Sequence, residues 1–183
     1  SHRWNPMTYV SPDPAFRVSD LQSIAAMLYP DGDDKDKFWV SQARNAFLAF
    51  TLYLFERRDH DRNAESPTLG AVLRLSSGDG GEMKPYLQKL VEAPFLSGQA
   101  RTAFAGLLSQ ADVTFASILG SFREPLNPWL NPVLDAATSA DDFRLDDVRR
   151  RRMTIYVGIQ PNKLAESRLI VNLFFSQLIN VNT

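Results

Sequence analysis

The residues whose type and spacing best suit binding chemistry are two groups of arginines. The stronger group is the consecutive run Arg149, Arg150, Arg151 and Arg152, and the weaker group is Arg57, Arg58 and Arg62. Guanidinium groups bind phosphates and carboxylates through paired hydrogen bonds, so both groups are candidate protein-binding or DNA-binding residues.

In a second interpretation, the arginine run is a solvated junction. Its charges then pair with nearby acidic residues, namely Asp141, Asp142, Asp146 and Asp147. We favour this interpretation because no aromatic residues, on which bases could stack, alternate with the arginines.

Other candidate ligand motifs are incomplete. The glycine-rich stretch Gly78–Gly81 is followed by Met83-Lys84-Pro85 and not by the Gly-Lys-Ser/Thr of a phosphate-binding loop, so we predict a connector. The acidic stretch Asp31–Lys37 has Lys35 where an EF-hand needs an acidic or amide ligand, which favours a solvated loop over a calcium site.

Catalytic residue sets are also missing from the sequence. The chain contains no cysteine and two histidines, and His60 lies between Asp59 and Asp61, a pattern more typical of a surface turn than of a metal site. A Ser-His-Asp arrangement is therefore not expected. We predict that this chain by itself is not an enzyme and carries no cofactor or metal.

Composition indicates an ordinary soluble domain. Of 183 residues, 44% are hydrophobic, and the net charge is −1, which provides no general attraction to nucleic acid or to anionic membranes. The longest apolar segment, Phe38 to Phe55, is interrupted by polar residues, so no membrane span or signal peptide is predicted. The absence of cysteine fits a reducing, cytoplasmic setting.

Periodicity predicts a helical bundle of about six to seven helices. An irregular or extended arm containing Pro6, Pro12 and Pro14 comes first, and Ser19 with Gln22 has the spacing of a capping box that begins the first helix. The remaining predicted helices of the bundle are Lys37 to Arg58, a helix capped by Ser66 through Leu75, Lys84 to Ala93, a helix capped by Ser97, Asp112 to Phe122, and Pro132 to Ala137.

The last part of the sequence has a different pattern. Met153 to Ile159 is short, apolar and rich in β-branched residues, which is typical of a buried strand, and it precedes an apolar helix from Leu164 to about Ile179. Pairing of this strand with Met7 to Val10 is possible, but two strands alone are marginal. We therefore predict a mainly α fold, a helical insertion with one strand and one helix of a larger α/β protein attached.

Several stretches in this order and spacing resemble the coupling ATPases of type IV secretion systems, the TraG/TraD type. The resemblance covers nearly the whole chain and is weakest between residues 76 and 131. The stretches are WNPMTYVS at 4–11, VSDLQSIAAMLYP at 18–30, FWVSQARNAFLAFTLYL at 38–54, PTLGAVLRL at 67–75, AATSADDFRLDDVRRRRMTIYVGI at 136–159 and LIVNLFFSQLI at 169–179.

The resemblance implies three regions. Residues 1–17 are an arm from a RecA-like nucleotide-binding domain, residues 18–148 are an inserted all-α domain, and residues 149–183 are a strand–helix unit of the nucleotide-binding domain. The parent's ATP-binding and Mg²⁺-binding motifs are expected outside this chain, so ATPase activity is expected of the parent alone.

The resemblance also implies a function. The parent is expected to be a membrane-anchored hexamer on the cytoplasmic face of the bacterial inner membrane, acting with other type IV secretion components. The all-α domain is implicated in recognising relaxase–DNA complexes or effector proteins with C-terminal signals, and the isolated fragment is expected to be a monomer. The alternative is a helical domain whose main role is DNA contact.

Overall fold

The computed structural model describes residues 2–183 and is mainly helical. Short 3₁₀ helices lie at Pro6–Tyr9, Asp34–Asp36, Glu124–Leu130 and Pro161–Lys163. The α-helices within this range are α1 (Pro14–Leu28), α2 (Lys37–His60), α3 (Leu69–Ser76), α4 (Met83–Val91), α5 (Gly98–Leu108), α6 (Asp112–Arg123), α7 (Pro132–Ala137), α8 (Asp147–Arg150) and α9 (Leu164–Asn182).

Helix α2 is the centre of the bundle. Helices α1, α3, α5 and α6 pack against it, because apolar residues occupy several of its sides. Phe50 is fully buried; its ring meets Phe104 edge-to-face at 5.7 Å and stacks on Phe122 at 5.4 Å between centroids. The predicted helical class and the central position of this helix are confirmed.

Two predicted helix starts are wrong. Helix α1 begins at Pro14, because the Asp13 carboxylate accepts the Ala15 N–H at 2.9 Å and a proline fits the first helical position. The predicted capping residue Ser19 therefore lies inside the helix. Helix α3 is capped by Thr68, whose hydroxyl accepts the Ala71 N–H at 2.9 Å, and not by Ser66.

The first residues form a packed segment and not an irregular or extended arm. Trp4 and Met7 are buried, and Met7 lies in the 3₁₀ helix Pro6–Tyr9. The Arg3 guanidinium forms a 2.8 Å ion pair with Asp142, which lowers the pKa of that carboxyl group to about 2. The first residues are therefore packed against the region that follows α7, and their assignment to another domain stays a prediction.

The predicted strand Met153 to Ile159 does not form within residues 2–183. The segment has no regular structure, and Tyr156 is 91% exposed. A single strand needs a neighbour to pair its backbone groups. The alternative partner, Met7 to Val10, is unavailable because most of it forms the 3₁₀ helix.

Helix α9 is covered on one side only. Phe174 is buried, and its ring meets that of Trp4 edge-to-face at 5.1 Å, while Gln177 donates a 2.8 Å hydrogen bond to the Pro6 carbonyl. Apolar side chains on its other sides remain exposed, including Phe175 and Ile179. No helix in residues 2–183 has the length and hydropathy that a bilayer span requires.

Candidate functional site

The weaker arginine group lies at the carboxyl end of α2, and two of its three side chains make contacts within the fold. Arg57 lies over the Tyr53 ring, 5.5 Å from its centroid, and Arg58 donates a hydrogen bond to the Ala64 carbonyl. Arg62, just beyond the helix, is exposed. Within this group, Arg62 is the side chain best placed to reach a partner.

The arginine run is half neutralised by its own neighbours. Arg150 pairs with Asp146 at 3.1 Å and Arg151 pairs with Asp147 at 2.5 Å, both one helical turn away. Among residues 2–183, no carboxylate lies within 4.0 Å of the Arg149 or Arg152 guanidinium. The run therefore matches the solvated junction in part and leaves two exposed cations.

Two of the four aspartates in the stretch considered as a calcium site form ion pairs. Asp31 pairs with Arg44 at 3.2 Å and Asp34 pairs with Lys37 at 2.8 Å. The His60 ring lies 5.5 Å from the Phe95 ring. Over the described range 2–183, no group of three or more histidine or acidic side chains is arranged to hold a metal ion.

A concave surface that the sequence reasoning missed lies along α2. It consists of three adjoining depressions of about 390, 520 and 450 Å³. Neighbouring depressions share lining residues, Val18 and Gln99 at one junction, and Asn45 and Leu48 at the other. We call this continuous surface the α2 groove.

One face of α2 forms the floor of the α2 groove. The lining side chains recur every three or four residues, as one face of a helix requires. They include Lys37, Ser41, Asn45, Leu48, Leu52 and Glu56. The floor extends from Lys37 to His60, roughly 35 Å at 1.5 Å per residue.

Helix α1 and the loop after it line one side of the α2 groove, and α5 lines the other side in the two depressions nearer the carboxyl end of α2. Both helices run antiparallel to α2. At one end of α1, Arg17 pairs with Asp59 at 2.9 Å, and after its other end the Tyr29 carbonyl accepts a hydrogen bond from Arg44 at 2.8 Å. Helix α5 is held in the same way. Its Ala103 carbonyl accepts from the Asn45 amide at 2.9 Å, and the residue that caps it, Ser97, donates to Glu56 at 3.1 Å.

The centre of the α2 groove is apolar and its ends are charged. Val18 and Leu48 are half-buried between the polar side chains of Asn45, Gln99 and Thr102. Lys37, Arg44 and Asp31 lie at one end, and Glu56, Asp59 and Arg17 lie at the other. Such a surface suits the binding of a peptide or protein segment, because it offers apolar contact and hydrogen-bonding groups together.

A signal for this groove exists in the sequence. The α2 stripe contains Ser41, Asn45 and Glu56 between its apolar residues. Ser41 is exposed, whereas Asn45 and Glu56 bond to α5 and its cap. These polar positions therefore mark where α2 lacks apolar cover, but they do not identify the helices beside it.

Comparison with known proteins identifies relatives over the whole chain. A family profile described as type IV secretory system conjugative DNA transfer matches residues 1–183. Protein VirD4 of Rhizobium radiobacter is 30% identical over 99% of this chain and 25% of its own length. Protein VirD4 of Agrobacterium fabrum is 28% identical over 99% of this chain and 26% of its own length.

A more distant relative extends this pattern. The conjugal transfer protein TraG of Escherichia coli is 20% identical over 97% of this chain and 29% of its own length. The chain thus spans about a quarter of the length of the curated relatives it matches.

Proposed function

The chain belongs to the type IV secretory system conjugative DNA transfer family, and on that premise we propose that it selects the cargo of a secretion system. Residues 18–148 act as the recognition domain, and the cargo is a relaxase–DNA complex or an effector protein. The observation that carries the proposal is the α2 groove, whose apolar centre and polar rim suit the capture of a protein segment.

The flanking segments belong to a second domain of the parent protein. In that domain Met153 to Ile159 pairs with strands supplied by the rest of the parent, which also cover the exposed side chains Tyr156, Phe175 and Ile179. Exposed apolar side chains on two consecutive segments support this assignment, because such surface is commonly an interface.

Nucleotide chemistry resides elsewhere in the parent. ATP and Mg²⁺ are bound by a RecA-like domain whose motifs lie outside this chain, in a hexamer at the cytoplasmic face of the inner membrane. The isolated chain is a monomer without ATP turnover. Measurable turnover by the pure chain contradicts this assignment.

A titration tests the recognition function. A fluorescent C-terminal tail of a relaxase or effector from the same secretion system is titrated with the chain, alongside a scrambled tail of the same composition. We expect saturable binding of the cognate tail with a Kd on the order of micromolar or weaker. An equal response to both tails refutes the proposal.

Direct DNA contact is a second candidate function, supported by the two unpaired cations. Arg149 and Arg152 are exposed, and neither guanidinium is neutralised by a carboxylate within residues 2–183. Each phosphate contact contributes about 0.9 to the slope of log K against log salt concentration. We expect weak DNA binding whose slope falls by about 1.8 when both arginines become alanine.

Lys89→Ala is the control for this measurement, because it removes an exposed cation that belongs to neither arginine group. Binding that is unaffected by salt concentration, or equally reduced by the control, contradicts DNA contact through the arginine run.

A further inference from the structure

Residues 3–10 are bonded to the helical bundle at several points. The Trp4 N–H donates to the Ala137 carbonyl at 3.0 Å, and the Asp142 N–H donates to the Arg3 carbonyl at 3.1 Å. The ion pair between Arg3 and Asp142 joins the same two residues as the second of these bonds. We call residues 3–10 the bracket, because the end of α7 and the chain after it hold them in place.

Asp141 holds the middle of the bracket. One of its carboxylate oxygens accepts the Asn5 N–H at 3.0 Å, and the other accepts the Thr8 hydroxyl at 2.5 Å. The Asn5 side-chain amide donates to the Pro67 carbonyl at 3.0 Å, shortly before α3. The bracket is therefore bonded to the bundle both before α3 and after α7, and it leaves the bundle only when bonds break at both places.

Helix α9 has fewer bonds to the remainder of the chain. Within residues 2–183, two hydrogen bonds join it to residues before 150. Gln177 donates to the Pro6 carbonyl at 2.8 Å, and Asn182 donates to the Leu145 carbonyl at 3.0 Å. Three of its 19 residues are buried, so the helix rests on the bracket and the bundle along a narrow strip.

The contact between the bracket and α9, which we call the seam, consists of Trp4 and Pro6 on one side and Phe174 and Gln177 on the other. Within residues 2–183, the Trp4 indole N–H and the Gln177 side-chain oxygen are buried and have no hydrogen-bond partner. A buried polar group without a partner lowers stability. The seam is therefore the less stable of the two contacts that the bracket makes.

We propose that the seam is a hinge: the bracket moves with the helical bundle, and α9 moves with the second domain of the parent. Moving elements are drawn from the contacts of lowest stability, and the seam is such a contact. The inference rests on the proposed function, which assigns both flanking segments to the second domain, and it adds where the two domains move relative to each other. Motion at the seam changes the orientation of the recognition domain and breaks no contact inside the bundle.

Hydrogen exchange of the folded chain, followed by NMR, tests which contact opens first. The Trp4 N–H reports on the bracket, because it is bonded to Ala137, and the helical N–H groups of α9 report on that helix. A part that opens by itself exchanges faster than a part that opens only with a larger unit. After correction for intrinsic rates, we expect α9 to exchange about tenfold or more faster than the Trp4 N–H.

Asp141→Ala is the decisive variant. It removes the acceptor of Asn5 and Thr8 and leaves the acceptor of Trp4 in place. Because opening at the seam keeps the Asp141 bonds intact, we expect exchange of α9 to stay unchanged while exchange of the Trp4 N–H rises about tenfold. Asn5→Ala removes the bond to Pro67 and repeats the test at a second point of the bracket.

Gln177→Ala tests the seam itself. The bond from Gln177 to Pro6 breaks whenever α9 opens, so we expect its loss to speed exchange of α9 about tenfold. Asn172→Ala is the matched control, because it truncates an exposed amide side chain of the same helix, and we expect no change in α9.

Three results each overturn the inference. They are equal exchange of α9 and the Trp4 N–H, a rise of α9 exchange in Asp141→Ala that matches the rise at Trp4, and equal effects of Gln177→Ala and Asn172→Ala on α9. The measurement uses neither cargo nor nucleotide, so it is independent of the titration with the cargo tail. Exchange of α9 and the bracket as one unit refutes the hinge while recognition stands, whereas a cognate tail that fails to bind refutes recognition and leaves the exchange result unaffected.

Discussion

Replacing Arg17 by methionine tests what holds α1 against the carboxyl end of α2, at one end of the α2 groove. The Arg17 side chain is 4% exposed and pairs with Asp59 at 2.9 Å. It also donates to the Pro12 carbonyl at 3.1 Å and to the Ser11 carbonyl at 3.4 Å, and its guanidinium lies 5.1 Å from the Phe55 ring centroid. One side chain therefore ties the start of α1 to the end of α2.

The magnitude follows from these contacts. A hydrogen bond from a charged group contributes about 1.5–3 kcal/mol, and the long contact to Ser11 contributes less. The pair with half-exposed Asp59 adds about 0.5 kcal/mol. Methionine keeps part of the packing and removes the desolvation cost of a buried cation, which offsets about 1 kcal/mol. We expect Arg17→Met to lower the free energy of unfolding by about 2 kcal/mol.

Urea denaturation measures this change. With an m-value of about 2 kcal/mol/M, the midpoint should fall by about 1 M. Arg62→Met is the matched control, since Arg62 is an exposed arginine near the same end of the bundle, and we expect a change within about 0.5 kcal/mol. A midpoint for Arg17→Met within about 0.25 M of the unchanged protein refutes the anchoring role.

Three further predictions concern other parts of the molecule. Because Arg3 lowers the pKa of Asp142 to about 2, the pair stabilises the fold above about pH 4, and this contribution is lost as pH falls towards 2. The difference in unfolding free energy between the protein and Asp142→Asn should therefore shrink between about pH 4 and about pH 2, and a constant difference contradicts the role of the pair. Tyr29 donates a buried 2.6 Å hydrogen bond to the Phe122 carbonyl, so Tyr29→Phe should cost about 1–2 kcal/mol and lower Tm by about 2–6 °C, whereas an unchanged Tm refutes the bond's role. Tyr156→Asp should change the unfolding free energy of this chain by less than about 0.5 kcal/mol in urea denaturation, and a large loss of stability contradicts the exposed position of Tyr156. In the parent, the same substitution should impair DNA transfer.

The helical framework was largely readable from the sequence. Pro132 and the Ser97 cap begin helices where predicted, and α2 begins at Lys37 as its apolar periodicity required. Caps and apolar periodicity depend on neighbouring residues alone, so they can be read from the sequence without knowledge of the tertiary packing. At the two wrong starts, the helix begins after another residue, Asp13 or Thr68, whose side-chain oxygen accepts a backbone N–H of the first turn.

The α2 groove could not be predicted in this way. Which face of α2 stays open depends on how α1 and α5 pack on it, and their spacing depends on contacts between distant residues such as Asn45 with Ala103 and Glu56 with Ser97. The same limit applies to Met153 to Ile159. Its composition indicates a strand, but a strand forms only where a partner is present.

Exchanging the helical domain between two members of the family tests the account most directly. Residues 18–148 in the parent are replaced by the corresponding segment of a relative that transfers a different cargo, and transfer of both cargoes is measured in cells. The account predicts that cargo choice follows the exchanged domain, with ATP turnover of the chimeric parent retained as the control for assembly. Transfer of the original cargo by a chimera with intact turnover contradicts it.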